Sequence, residues 1–91
     1  MAVQINVIIQ DGKFYTLTKS SAYVGVSRSR YLSTILNINF QGGDETVTPL
    51  KVLKPYTRHA IALPVSVKRE LEDRCNKLNC TYSEYINGFL I

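Results

Sequence analysis

Arg28 and Arg30 follow Ser27, a residue type that caps helix starts. Cations at a helix start oppose the helix dipole, so they do not help an isolated helix. They make sense where an anion sits on the free amides of the first turn. Ser27, Arg28, Ser29 and Arg30 are therefore candidate anion contacts, and Thr81, Tyr82 and Ser83 stand at the matching place of a second helix start. Covalent or metal chemistry has far less to work with. His59 is the only histidine, which leaves no His-based triad and at most one metal ligand of that type. Cys75 and Cys80 fall in register with Ser21 and Val26 and read as buried structural thiols. A zinc pair would need further Cys or His, and two cysteines do not make a secreted disulfide framework. The chain reads as a non-enzyme, with no catalytic residue, no metal and no cofactor.

The elements that must position these groups are clearest in the second half. From Arg58 to Leu63 the chain alternates, with Ile61 and Leu63 on one face and Arg58, Ala60 and Ala62 on the other. His59 falls on the inward face, as a packed or edge histidine. Pro64 closes the strand because it has no N–H for a ladder. Val67, Leu71, Cys75 and Leu78 then recur at spacings of four, four and three, one apolar stripe of a helix. Asn79 suits a left-handed stop. Thr81 and Glu84 form a capping box, and Tyr82, Tyr85, Ile86, Phe89 and Leu90 make the apolar face of a last helix. Gly88 in that helix costs roughly 1 kcal/mol against alanine, tolerable if another helix crosses closely there.

The same order recurs 54 positions upstream with no insertion. Tyr31 falls on Tyr85, Ser29 on Ser83, Leu17 on Leu71 and Leu36 on Leu90. Val3, Ile5, Val7 and Ile9 alternate with Gln4, Asn6 and Ile8, so that Val7 falls on Ile61 and Ile9 on Leu63. Gly25 supplies the helix stop and Ser27 the N-cap. The middle is degenerate: Gln10 replaces the proline, and Gly12, Thr16, Thr18, Ser20 and Ser21 are poor helix formers. Gln10-Asp-Gly-Lys13 between alternating runs is also a hairpin signal. Residues 11–24 are thus either a helix or a returning strand, and the gap-free register favours the helix.

Residues 58–91 resemble the ribbon–helix–helix family of transcription regulators. The resemblance is carried by the strand closed by Leu63-Pro64, the helix ending at Leu78-Asn79, and the Cys80-Thr81-Tyr82-Ser83-Glu84-Tyr85 lead into the second helix. The family usually has Gly where Asn79 stands and an aliphatic residue where Cys80 stands. One strand and two helices cannot close a core, so the family's unit needs two copies. The resemblance implies an α+β fold: a tandem ribbon–helix–helix, with a two-stranded antiparallel ribbon and four helices, as a single-chain pseudo-dimer. Residues 1–38 would be copy 1, 39–57 a linker and 58–91 copy 2, together one DNA-binding unit. Such tandem chains resemble regulators of archaeal filamentous viruses and of a plasmid-transfer family, which implies a viral protein in the host cytoplasm.

The function implied is sequence-specific regulation of transcription, with the ribbon in the major groove of double-stranded DNA. Carried over by register, the base-reading residues are Gln4, Asn6 and Ile8 from the first strand and Arg58, Ala60 and Ala62 from the second. Asn and Gln bond adenine, Arg suits guanine, and Ala or Ile touches thymine methyls. Two alanines beside the polar residues favour an approached surface over an open wet face. The phosphate contacts implied are Ser27, Arg28, Ser29, Arg30, Thr81, Tyr82 and Ser83. Pairing within one chain is expected to put Val7 and Ile9 beside Ile61 and Leu63.

Charge agrees with a polyanionic partner. The net is +4, and Lys13, Lys19, Arg28 and Arg30 against Asp11 give the first half most of it. Such a short domain buries only about 60–65% of its unfolded surface. Gly42-Gly43, Pro49 and Pro55 mark the linker, within which Thr46-Val47-Thr48 and Leu50-Lys-Val-Leu53 are candidates to pack on the surface. No signal peptide, long apolar run or lipidation motif is visible, so an intracellular chain without a membrane partner is expected. No small-molecule ligand is expected, and self-association along DNA stays open. Two alternatives remain. Copy 2 could pair between two chains, leaving residues 1–57 as an accessory hairpin and helix. Or the chain could be a non-DNA, antitoxin-like adaptor, although such proteins usually extend past the second helix and this one stops at Ile91.

Overall fold

The two alternating runs form β1 (Ala2–Gln10) and β2 (Tyr56–Pro64). In this computed structural model, which describes residues 1–42 and 47–90, they pair antiparallel from Ala2 opposite Pro64 to Gln10 opposite Tyr56. Helices α1 (Asp11–Val24) and α2 (Arg28–Gly42) follow β1, and α3 (Val65–Leu78) and α4 (Tyr82–Phe89) follow β2. The fold is therefore α+β, one two-stranded antiparallel sheet with four helices. Odd-numbered strand residues face the core, where Ile5, Val7, Ile9, Ile61 and Leu63 are buried. Leu17, Leu32, Leu36, Leu71, Tyr85 and Ile86 close under them from the helices. Burial of one such side chain contributes roughly 1.5–3 kcal/mol. Among the described residues, no helix is long and apolar enough to cross a membrane.

The register corrects one expectation. The middle pair is Asn6 opposite Ala60, so Val7 lies opposite His59 and Ile9 opposite Thr57. Antiparallel pairing about a central pair carries equivalent positions away from each other. Ile9 and Leu63 thus end at opposite ends of the ribbon, and Ile61 meets Ile5 while Leu63 meets Val3.

Residues 11–24 are helical, and the returning strand does not form. The start of α1 is held by distant partners, its end by its own last turn. The Asp11 N–H donates to the Pro55 carbonyl at 2.9 Å, and its carboxylate accepts from Thr57 Oγ1 at 3.0 Å. Gly25, at φ 84°, stops the helix, and the Gly25 and Val26 amides return to the Ala22 and Ser21 carbonyls. Two of the hydroxyls that compete with helix formation bond back within the helix, Thr16 to the Gly12 carbonyl and Ser21 to that of Thr18. Thr18 Oγ1, by contrast, is buried without a partner among the described residues. Asn79, at φ 53°, stops α3 in the same manner, with the Cys80 N–H on the Cys75 carbonyl at 3.0 Å.

The segment between the halves is shorter and better packed than its composition suggests. α2 runs past residue 38 to Gly42, and β2 begins at Tyr56. The added turn places Phe40 under the Arg74 guanidinium, 4.6 Å from the ring centroid, and Arg74 also donates to the Phe40 carbonyl at 3.2 Å. Val47 is buried, and the Leu50 N–H donates to the Glu84 carbonyl at 3.1 Å. The element that crosses Gly88 is this connecting chain rather than a helix: a Cβ at Gly88 would overlap the Thr48 carbonyl oxygen. Gly43, Asp44, Glu45 and Thr46 lie outside the described residues, as does Ile91.

Candidate nucleic-acid interface

Even-numbered strand residues face away from the core. The six candidate base-reading residues meet there as three cross-strand pairs: Gln4 with Ala62, Asn6 with Ala60, and Ile8 with Arg58. Gln4, Asn6, Arg58 and Ala60 are exposed, and Ile8 and Ala62 are half-buried. Gln10 opposite Tyr56 extends the face, and Tyr56 is 39% exposed. The sequence reading began this strand at Arg58 and passed Tyr56 over. An aromatic residue just before an alternating run was the available signal.

Helix starts flank both ribbon edges. Ser29 Oγ accepts the Ala62 N–H at 3.1 Å, and Ser83 Oγ accepts the Ile8 N–H at 3.0 Å. The two contacts are equivalent under the 54-residue offset. They fasten α2 and α4 to the ribbon and satisfy edge N–H groups that a two-stranded sheet leaves bare. Ser29 and Ser83 were expected only as phosphate contacts. Each has this positioning role, with its hydroxyl proton still available to donate.

The two helix starts differ in charge. Ser27 Oγ caps α2 by accepting the Arg30 N–H at 3.1 Å. Arg28 and Arg30 are exposed there, and among the described residues neither is in an ion pair. At α4, Thr81 Oγ1 accepts the Glu84 N–H at 3.1 Å while the Glu84 carboxylate accepts the Thr81 N–H at 2.9 Å. Tyr82 Oη donates to Glu72 at 3.1 Å, so it is tied back to α3. Lys68 also donates to Glu72, and with Tyr82 it holds that carboxyl below its ordinary range. The Tyr82 hydroxyl is thereby engaged by a carboxylate of the neighbouring helix, which leaves the backbone amide as the group Tyr82 could offer a phosphate.

No protein-family model matches this chain, and neither a curated protein nor a solved structure does. What the face can do follows from its own chemistry. It offers two amides and a guanidinium on a ribbon kept thin by Ala60 and Ala62, with a cationic helix start beside it.

That cationic side contains a cleft of about 660 Å³, with Arg28, Arg58, His59 and Phe14 in its wall. The His59 ring stacks on Phe14, centroids 3.6 Å apart and planes 5° apart, and the Arg28 guanidinium lies 5.1 Å from the Phe14 centroid. Burial lowers the His59 pKa below its usual 6.5, the Arg28 charge lowers it further, and Asp11 partly opposes them. The fold therefore favours neutral His59. Its contribution to stability is complete above the unfolded value of 6.5 and is lost as pH falls through the lower folded value. The urea midpoint of the native chain should drop on the acid side, and His59→Phe, which keeps the stack, should flatten that drop. Parallel pH profiles for the two proteins would refute the assignment.

Two buried groups complete the site. Burial, with Cys80 adjacent, pushes the Cys75 thiol up to about 12, consistent with a structural rather than a reactive thiol. Asn87 is 1% exposed and was missed by sequence reasoning. Its Oδ1 accepts the Gln10 N–H at 3.0 Å, and its Nδ2 donates to the Ile8 and Ser83 carbonyls at 2.9 and 2.7 Å. It braces the end of β1 that carries Ile8. A polar residue amid Tyr85, Ile86, Phe89 and Leu90 was the signal that could have found it.

Proposed function

We propose that this chain is a tandem ribbon–helix–helix protein, a single-chain pseudo-dimer, that binds double-stranded DNA and regulates transcription. The observation that carries this reading is the set of three cross-strand pairs holding Gln4, Asn6 and Arg58 on one outward face. A two-stranded ribbon fits a major groove about 12 Å wide, and amides and guanidinium are the groups that read base edges there. Arg28 and Arg30 beside the ribbon supply charge for the phosphate backbone.

The reading is tested by selecting bound sequences from random duplexes at a stated salt concentration. A reproducible motif supports it, and equal retention of all duplexes removes the sequence-specific part. Two variants separate reading from holding. Asn6 is central on the face, where a bidentate base contact is worth roughly 1–3 kcal/mol of discrimination. Asn6→Ala should lose most of the preference for the selected site over a scrambled one while retaining non-specific affinity. Arg28→Ala should weaken all duplexes alike and reduce the slope of log affinity against log salt by about 0.9. An unchanged preference in Asn6→Ala would mean that the ribbon is not the reading element.

A further inference from the structure

The two strands pair about Asn6 and Ala60, which are also equivalent under the 54-residue offset. Gln4, Asn6 and Ile8 therefore have Arg58, Ala60 and Ala62 as their equivalents, and at none of these positions is the residue the same. β1 offers two amides and an isoleucine outward; β2 offers a guanidinium and two alanines. One end of the ribbon carries Gln4 beside Ala62, and the other carries Arg58 beside Ile8.

The flanks are unlike in the same sense. The outer edge of β2 docks α2 through Ser29 on Ala62, and Arg28 and Arg30 stand there with Arg58 on the strand. The outer edge of β1 docks α4 through Ser83 on Ile8. There Glu84 closes the capping box and Tyr82 is tied to Glu72. The α2 edge carries Arg28 and Arg30 outside any ion pair among the described residues, with Asp11 further along it on Thr57. On the α4 edge Lys68 is paired with Glu72 and Lys13 donates to the Asn87 carbonyl, so these cations are already engaged.

A dimer of identical chains reads an inverted repeat because each half-site meets the same side chains. We propose that this protein instead reads a non-palindromic duplex in a single orientation, with its phosphate grip concentrated on the α2 side. The inference rests on the DNA reading above. The amides match adenine and the guanidinium matches guanine, so the two ends of the contacted core carry different bases. From Gln4 to Ile8 the ribbon spans about 13 Å, which covers about four base pairs.

The test is sequence selection with the native chain, followed by phosphate ethylation interference on the selected site. The expected motif has no dyad symmetry. Exchanging its outer base pairs end for end should cost about tenfold or more in affinity. Interference should be strongest on one flank and should weaken there in Arg28→Ala. A second arm uses the triple variant Arg58→Gln, Ala60→Asn, Ala62→Ile, which gives β2 the outward residues of β1. It should select an inverted repeat, and retention of the native motif by this variant counts against the proposal. An inverted repeat selected by the native chain, or equal interference on both flanks, overturns single-orientation binding and leaves the DNA reading standing. Failure to retain any duplex overturns both.

Discussion

Replacing Asn87 by leucine is expected to lower the unfolding free energy by about 3 kcal/mol, since it strands two buried or half-buried backbone groups at roughly 1–3 kcal/mol each. Those groups are the Gln10 N–H and the Ile8 carbonyl, both partnered by the Asn87 side chain. The reason lies in a difference between the two halves. Gln10 stands where Pro64 stands in the second half. Proline brings no N–H, but Gln10 does, and Asn87 receives it. Gln10 already has φ −59°, close to the −55° of Pro64, so its backbone suits proline. Gln10→Pro alone should cost stability by leaving Asn87 Oδ1 without its donor. In the Asn87→Leu background the same change should recover about 1 kcal/mol or more, because donor and acceptor are then both gone. Urea titration of the four proteins forms the cycle. Strictly additive losses would show that this hydrogen bond does not couple the two positions.

Gly88→Ala should destabilise the fold by about 2 kcal/mol, although alanine raises helix propensity by about 1 kcal/mol. The added Cβ overlaps the Thr48 carbonyl oxygen and lies 2.9 Å from the Thr48 carbonyl carbon and 3.1 Å from Pro49 Cα. All three are backbone atoms, so no side-chain rotation relieves the contact. The connecting chain must lift, which exposes Val47 and breaks the Leu50–Glu84 hydrogen bond. Thermal unfolding should show a lower Tm, and limited proteolysis should cut residues 47–55 sooner than in the native chain. A raised Tm would mean that propensity wins and that the chain does not cross there.

Much of the fold was legible because it is written in interactions that span only a few residues. Alternation marked both strands, since a pleat turns successive side chains to opposite faces. Gly25 and Asn79 marked helix stops, as their left-handed φ values bear out, and Thr81 with Glu84 marked a cap. The outward residues were legible for the same reason. Helix α1 was ambiguous because its own residues favour a helix weakly. Its start is held by Pro55 and Thr57, each more than forty positions away.

By itself the sequence determined which side chains each strand turns outward and where most helices start and stop, because those follow from local backbone geometry. The tertiary structure alone decided what stands opposite what. Only the register set Asn6 across from Ala60 and sent Ile9 and Leu63 to opposite ends. Only packing brought Glu72 to Tyr82, Asn87 to Ile8, and Thr48 over Gly88. Asn87 and Ile8 are 79 positions apart, and their bond satisfies groups that the ribbon edge leaves open once the strands have paired. Such contacts exist only after chain entropy has been overcome by burial of the shared core, so no local pattern of residues announces them.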